Sequence, residues 1–432
     1  MLDIQYIRDN KELVQEKASQ KGYPINLDEL LNLDNELRHN IQILEDLLNQ
    51  RNVLSAQFSN NRPSEDDIEK GKELKNKSAE IEKTVNDLKK KFTDTIKKVP
   101  NMPLEMVPVG LSENDNVIYK KVGEPLNYDF VPKNHWELNE ANSLIDKTRA
   151  AKVAGSRFVY LKGGLVRLQF AIINWVMDKL TDEAFIAGLI KDNNLNISTK
   201  AFVPILPPGL VNTSSYMATT RLDAEEVTYK LADDEMWMNA SAEHSLCNMY
   251  QDEILASQQL PIRYLGYATS YRREAGSYGK DTEGIIRLHQ FDKLEMEVFS
   301  TPETGLDEHK LLVAIEEYFV SQLELPYQLL EKCTADIGKP NAKGMDIEIW
   351  FPGQNKYRET HSADYMTDFQ ARSLKTRFRK EDNSIDFVHN NDATVFAFSR
   401  ILAALMENYQ TKEGQIKVPE VLKNYLGGME KI

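Results

Sequence analysis

The stretch Ser270–Glu297, SYRREAGSYGKDTEGIIRLHQFDKLEME, decides how the second half of this 432-residue chain is read. Arg287, His289, Phe291, Lys293 and Glu295 fall at every second position, while Ile286, Leu288, Leu294, Met296 and Val298 take the other parity. Successive strand side chains point to opposite faces, so this spacing predicts a strand with one core face and one polar face. Ser270, Arg272 and Glu274 share a face in the run before it. Paired across a loop at 275–284, the two runs form a hairpin whose polar faces merge into one surface. That surface has two readings. One is a solvated strand face laced with ion pairs. The other is a site for a nucleotide and a carboxylated substrate. In it, Arg272 and Arg287 fork onto phosphates, Phe291 stacks on a purine, and Glu274 and Glu295 accept from amino groups. The chain has no Walker loop and no strand-led GxGxxG, so a nucleotide here is held without the common glycine cradles.

Working outward, the chain has the make-up of a soluble protein, with 41% hydrophobic and 28% charged residues and a mean hydropathy of −0.50. No run nears the ~18 apolar residues of a membrane helix. The first residues, MLDIQYIRDNKELVQEK, show no apolar signal region, so the cytosol is the expected compartment. Two cysteines, Cys247 and Cys333, give neither a disulfide framework nor a cysteine-rich zinc site, and no structural zinc is expected. The net charge of −14 argues against a global positive field for nucleic acid, so charge must be read locally.

Between residues 27 and 58, Leu30, Leu37, Leu44, Arg51 and Phe58 repeat at seven, with Asp34, Ile41, Leu48 and Ser55 as the second seam. Asn60-Asn61-Arg62-Pro63 interrupts, and Ser64 is placed to cap a second helix. In that helix Leu74, Ser78, Ile81, Val85, Leu88 and Phe92 repeat at three and four. Two long helices joined by a short turn predict an antiparallel hairpin. Residues 27–58 carry two basic and six acidic side chains; residues 70–98 carry ten lysines and five acids. Such an asymmetry fits a solvated coiled coil. It also fits a helix whose Lys89, Lys90, Lys91, Lys97 and Lys98 lie along a phosphate backbone. Residues 99–125 hold four prolines and no helical period, so 101–125 is expected to be a linker between an arm (1–100) and a body (126–432). In the body, 166–180 reads as helix, and 202–211 and the runs within 262–299 read as strands, without regular βα alternation. The expected class is α+β: a helical arm plus a mostly antiparallel sheet flanked by helices.

These residues resemble a known family. REAGSYGKDTEGIIRLHQFDKLE is similar to motif 2 of the seryl-tRNA synthetases, which are class II enzymes. NMPLEMVPVG, HWELNEANSLIDKTRAAKVAGSRFVYLKG, DIEIWFPGQNKYRE, DFQARSLKTRFR and SRILAALMENYQTKEGQIKVPEVLKNYLGG extend the resemblance along nearly the whole chain. It implies serine–tRNA ligase activity. The carboxylate of L-serine attacks the α-phosphate of ATP, and the seryl group then passes to the 3′ end of tRNA-Ser. It also implies Mg²⁺, a homodimer, and an arm that grips the long variable arm of tRNA-Ser. Whether tRNA-Sec is also charged stays open. By the same resemblance, Arg272, Glu274 and Arg400 are catalytic. Arg272, Arg273, Glu274, Arg287, Phe291, Glu359, Thr360, His361, Ser362 and Arg400 bind ATP, with Glu359 and Ser362 meeting Mg²⁺ through it. Ser241, Ala242, Glu243, Arg272, Glu295 and Thr394 bind serine. The five arm lysines bind tRNA.

The chain departs from the family pattern in places. The Thr-Ala-Glu loop reads Ser241-Ala242-Glu243, and the segment after Glu359 reads Thr360-His361-Ser362-Ala363-Asp364-Tyr365. Asp392 stands where many members have Asn. Facing a substrate carboxylate it would repel it by ~1 kcal/mol or more; facing an ammonium or a hydroxyl it would attract. Val395, Phe396 and Phe398 are bulkier than usual, and Gly209 follows the interface prolines Pro207-Pro208. Two other readings stand beside the ligase. One is an amino-acid-activating paralog with another acceptor, which has little use for the arm. The other is a non-catalytic RNA-binding paralog, which has no need of intact Arg272, Arg400, Glu274, Glu295 and Glu359.

Overall fold

The strand expected in the quoted stretch opens at Gln290, later than the alternation suggests. The structure, a computed structural model, describes residues 1–58, 63–219, 228–274 and 283–432. The expected turn at 275–284 lies outside them except for Glu283 and Gly284. Residues 283–289 follow an irregular path that Gly284 makes possible. Its φ is +71°, and a Cβ there would lie 1.9 Å from His135 Nε2. Ile285 N–H donates to that Nε2 at 3.1 Å. The ring proton therefore sits on Nδ1, 2.7 Å from Glu407 Oε1. Arg287 and His289 thus precede the strand instead of riding on it.

The chain forms two compact units, Met1–Pro100 and Asn101–Ile432. In the first, α1 (Leu27–Gln57) and α2 (Glu65–Ile96) fold as an antiparallel pair. Leu37, Val85 and Leu88 form its buried seam, flanked by Ile41, Leu44, Ile81 and Phe92. Ser64 caps α2 as expected: its Oγ accepts from Asp67 N–H at 3.2 Å, and Asp67 Oδ2 accepts from Ser64 N–H at 3.0 Å. Asp34, a polar break in the heptads, is buried yet satisfied. It accepts from Arg8 Nε at 2.8 Å and faces Arg38 Nε at 3.3 Å.

The second unit is built on eight strands: β1 (Val117–Val122), β2 (Val203–Ile205), β3 (Ile262–Tyr271), β4 (Gln290–Ser300), β5 (Tyr327–Glu331), β6 (Lys343–Phe351), β7 (Lys356–Thr367) and β8 (His389–Ala397). Their order is β1-β5-β6-β7-β8-β4-β3-β2, antiparallel throughout except for the β2–β3 pair. One face is sealed by α3 (Gly164–Leu180), α4 (Gly305–Gln322) and α5 (Phe398–Asn408). Leu294, Met296 and Val298 of β4 enter that core as the alternation predicts, beside Ile347, Phe396, Ile315 and Leu402. Trp175 of α3 meets Phe319 of α4 edge-on at 4.8 Å, and each such fully buried ring contributes roughly 2–3 kcal/mol.

Two expectations change here. The segment 101–125 is not a free joint. The Asn101 side chain donates to Pro340 O and Met366 O at 2.8 and 2.7 Å, and Val117–Val122 becomes edge strand β1. Prolines punctuate that stretch without detaching it. The strand expected over 202–211 is two short strands, Val203–Ile205 and Leu210–Asn212, because Pro207 and Pro208 cannot donate to a ladder. No helix among the described residues is long and apolar enough to cross a membrane.

Candidate active site

The face of the sheet away from α3–α5 carries the polar side chains, in rows fixed by register. Ser270 pairs with Phe291; Lys293 lies between Ala268 and Ala397; Glu295 lies between Gly266 and Thr394; Glu297 lies between Tyr264 and Asp392. Across β6 and β7, Ser362 faces Asp346 and Asp364 faces Gly344. Two bulges interrupt this order, one at Thr360 of β7 and one at Val395 of β8. An extra residue in one strand re-aims its neighbours. Glu359, Thr360 and Ser362 can therefore all reach the polar side, and Val395 and Phe396 both turn into the core. The bulky Val395, Phe396 and Phe398 thus fill the core beneath the site and leave the site itself open.

The result is a cleft of about 240 Å³. Ser241, Glu243, Arg272, Glu274, Arg287, Phe291, Glu295, Glu359, Thr360, Ser362, Thr394 and Arg400 all line it, together with Lys293, Asp392 and Ser399. Gly266 lets the segment 241–246 approach the sheet: a Cβ there would meet Leu246 at 2.8 Å and Ala242 at 3.4 Å. This close approach brings Glu243 over β4, where Gln370 Nε2 donates to its Oε1 at 3.1 Å. Arg272 is fixed by donation from Nε to Ala240 O at 3.1 Å, with its guanidinium 5.3 Å from the Phe291 ring centre. Glu274 faces Arg287 Nε at 3.2 Å. Arg400 donates to Glu359 O at 2.9 Å and to Glu359 Oε1 at 2.6 Å. Lys293 is paired with Glu295. Behind Ser362, buried Lys332 donates to its Oγ at 3.3 Å and lies 3.4 Å from both Asp346 and Asp364. Burial pushes the Asp346 carboxyl up to about 7, against the pull of Lys332.

Three expected site residues stand elsewhere. Ala242 packs against Leu246 and Ala268 in a small apolar cluster. Arg273 is exposed and does not line the cleft. His361 follows Thr360 and precedes Ser362, so alternation sends it to the core face, where it meets Phe396 at 5.3 Å. Burial pushes its imidazole down to about 3. The folded chain therefore resists a proton that the unfolded chain takes up near 6.5. The stability this neutral ring contributes is complete above pH 6.5 and is lost as pH falls toward 3. At ~1.4 kcal/mol per pH unit, about 2 kcal/mol disappears between pH 6.5 and 5. We expect His361→Gln to lose less stability than the wild type between pH 7.5 and 5 in urea melts. An equal loss would contradict this. Sequence reasoning misses Lys332, because a lone lysine after a strand has no pattern to mark it. Lys293 stands in the alternation, but its spacing alone assigns it no role.

The chain's relatives share this architecture. The class II tRNA synthetase core domain (G, H, P, S and T) matches residues 227–409. The antiparallel sheet and its cleft lined by Arg272, Arg287 and Arg400 are thus those of a class II synthetase. The seryl-tRNA synthetase N-terminal domain matches residues 1–103. Serine–tRNA ligase of Thermodesulfovibrio yellowstonii is 37% identical over 99% of both chains, and that of Nitrosopumilus maritimus 35% identical over 100% of both. The seryl-tRNA synthetase of Pyrococcus horikoshii, solved with ATP, superposes with a TM-score of 0.87 at 35% identity, covering 100% of this chain and 99% of that one. The chain belongs to the seryl-tRNA synthetase family.

Proposed function

We propose that this protein is a serine–tRNA ligase that activates L-serine with ATP and transfers it to tRNA-Ser. The observation that carries this is the convergence of Arg272, Arg400, Phe291, Glu243 and Glu295 in one cleft. Phe291 presents a ring face on which adenine stacks, and Arg272 beside it reaches the α-phosphate. Glu274 and Arg287 flank the nucleotide. Arg400 meets the outer phosphates. Glu243, Ser241, Glu295 and Thr394 receive the ammonium and hydroxyl of serine. The serine carboxylate oxygen bonds to the α-phosphorus as the bond to pyrophosphate breaks, and the transferring phosphoryl group spreads negative charge over its oxygens. Fixed cations at that point lower the barrier, and no protein nucleophile is required.

Glu359 and Ser362 offer the hard oxygen donors Mg²⁺ takes, and they face the same cleft. Among the described residues no group of three or more His, Cys, Asp or Glu could hold an ion alone, so Mg²⁺ fits as a partner of the ATP phosphates. When bound it neutralises phosphate charge. The exposed Lys89, Lys90, Lys91 and Lys98, with half-buried Lys97, suit the backbone of the long variable arm of tRNA-Ser, and the cytoplasm is the setting where tRNA is charged. Val203, Leu206 and Leu210 are exposed apolar side chains beside Pro207-Pro208, which supports a homodimer. Light scattering should give twice the 49.5 kDa chain mass at micromolar concentration; a monomer would count against it. For the activity itself, serine should drive exchange of pyrophosphate into ATP. Failure of serine to do so with folded protein would refute the reading.

A further inference from the structure

Asp392 lies in a row of three carboxyls that crosses the sheet, with Asp364 opposite it on β7 and Glu297 opposite it on β4. All three are buried, and of the three only Asp392 lines the cleft. Lys332 serves the Asp364 end of the row at 3.4 Å. At the other end, Asn390 Nδ2 donates to Glu297 Oε1 at 3.1 Å, and Glu297 Oε2 has no partner among the described residues. Burial, and then Asp392 and Glu243, push the Glu297 carboxyl well up. Of the pair, Glu297 is thus the one held toward its protonated form, and Asp392 is the one that lines the cleft. A second feature points to a ligand in the cleft: Ser241, a residue 3% exposed, lines it, and its Oγ has no hydrogen-bond partner among the described residues. The acids that line the cleft are Glu243, Glu274, Glu295, Glu359 and Asp392, and Lys293 is paired with Glu295.

We infer that Asp392 is a specificity-determining residue facing the substrate side chain, and that the cleft accepts short side chains that donate protons to an anion. Serine's hydroxyl is one such group, and the β-ammonium of L-2,3-diaminopropionate is another. The inference rests on the adenylate-forming reading above. An asparagine both donates and accepts, whereas a carboxylate only accepts and draws a cation more strongly. Alanine, with nothing to donate, leaves the buried carboxylate without a substrate partner. The chemical step is the same for both substrates: a carboxylate oxygen–phosphorus bond forms and pyrophosphate leaves.

The test is pyrophosphate exchange by the full-length enzyme with L-serine, L-2,3-diaminopropionate and L-alanine, in the wild type, Asp392→Asn and Glu297→Gln. Diaminopropionate should drive exchange in the wild type and raise its Tm. Asp392→Asn should lower the diaminopropionate-to-serine ratio of kcat/KM at least tenfold. Glu297→Gln should keep that ratio, because Glu297 lies behind Asp392 and does not line the cleft. An equal ratio in wild type and Asp392→Asn would overturn the inference. So would a wild type that exchanges with serine but shows neither exchange nor a Tm rise with diaminopropionate. Exchange with diaminopropionate alone would overturn the serine assignment and leave the role of Asp392 standing; silence with both amino acids would overturn both.

Discussion

Arg272→Ala should abolish serine-dependent pyrophosphate exchange, a loss of about 10³-fold or more in kcat/KM, while leaving tRNA binding close to wild type. The size follows from the charge it meets. Removing one preorganised donor at a developing oxyanion costs about 10²–10³-fold, and removing an arginine on a transferring phosphoryl group costs about 10³–10⁵-fold. Arg272 is preorganised: donation to Ala240 O aims it across the Phe291 ring before any substrate arrives. Lysine should not restore the activity, because an ammonium cannot hold the carbonyl and fork onto phosphate together. A filter-binding assay with tRNA supplies the second readout. If exchange persisted within tenfold, Arg272 would not be the α-phosphate contact. If tRNA binding fell in parallel, the change would be a folding defect.

Replacing Lys89, Lys90 and Lys91 together with glutamine should raise the KM for tRNA about tenfold or more and leave serine activation unchanged. All three are exposed on α2, and a lysine that neutralises a phosphate displaces a condensed counterion from the RNA. Without the three ammonium groups fewer counterions are released on binding, so the slope of log K against log salt should become shallower by about two to three. Aminoacylation measured across a salt series reads both quantities. An unchanged KM and slope would remove this patch from the RNA interface, leaving a solvated helix.

The sequence carried most of this because each decisive pattern was local. The parity of Phe291, Lys293 and Glu295 survives as one row of the cleft. The three–four spacing of Ile81, Val85, Leu88 and Phe92 survives in the seam of the arm. What escapes sequence reasoning depends on backbone counting or on distant partners. The alternation of Ile286 and Leu288 with Arg287 and His289 suggests an earlier start, yet the strand begins at Gln290, because Gly284 packs against His135, 149 residues earlier in the chain. The bulges at Thr360 and Val395 put two residues opposite one, and nothing in the residue types there signals it. That count decides that Thr360 reaches the cleft and His361 does not. Asp34 reads as a weakness in a heptad until the fold supplies Arg8 as its partner. Lys332 becomes intelligible only when two strands, β6 and β7, bring Asp346, Ser362 and Asp364 around it.

Transfer of labelled L-serine to total bacterial tRNA, with ATP and Mg²⁺, tests the central claim most directly. Acid-precipitable serine on tRNA-Ser is expected, dependent on ATP and absent with Arg272→Ala. A folded protein that activates serine yet leaves tRNA-Ser from a matched source uncharged would contradict it and point to another acceptor for the adenylate.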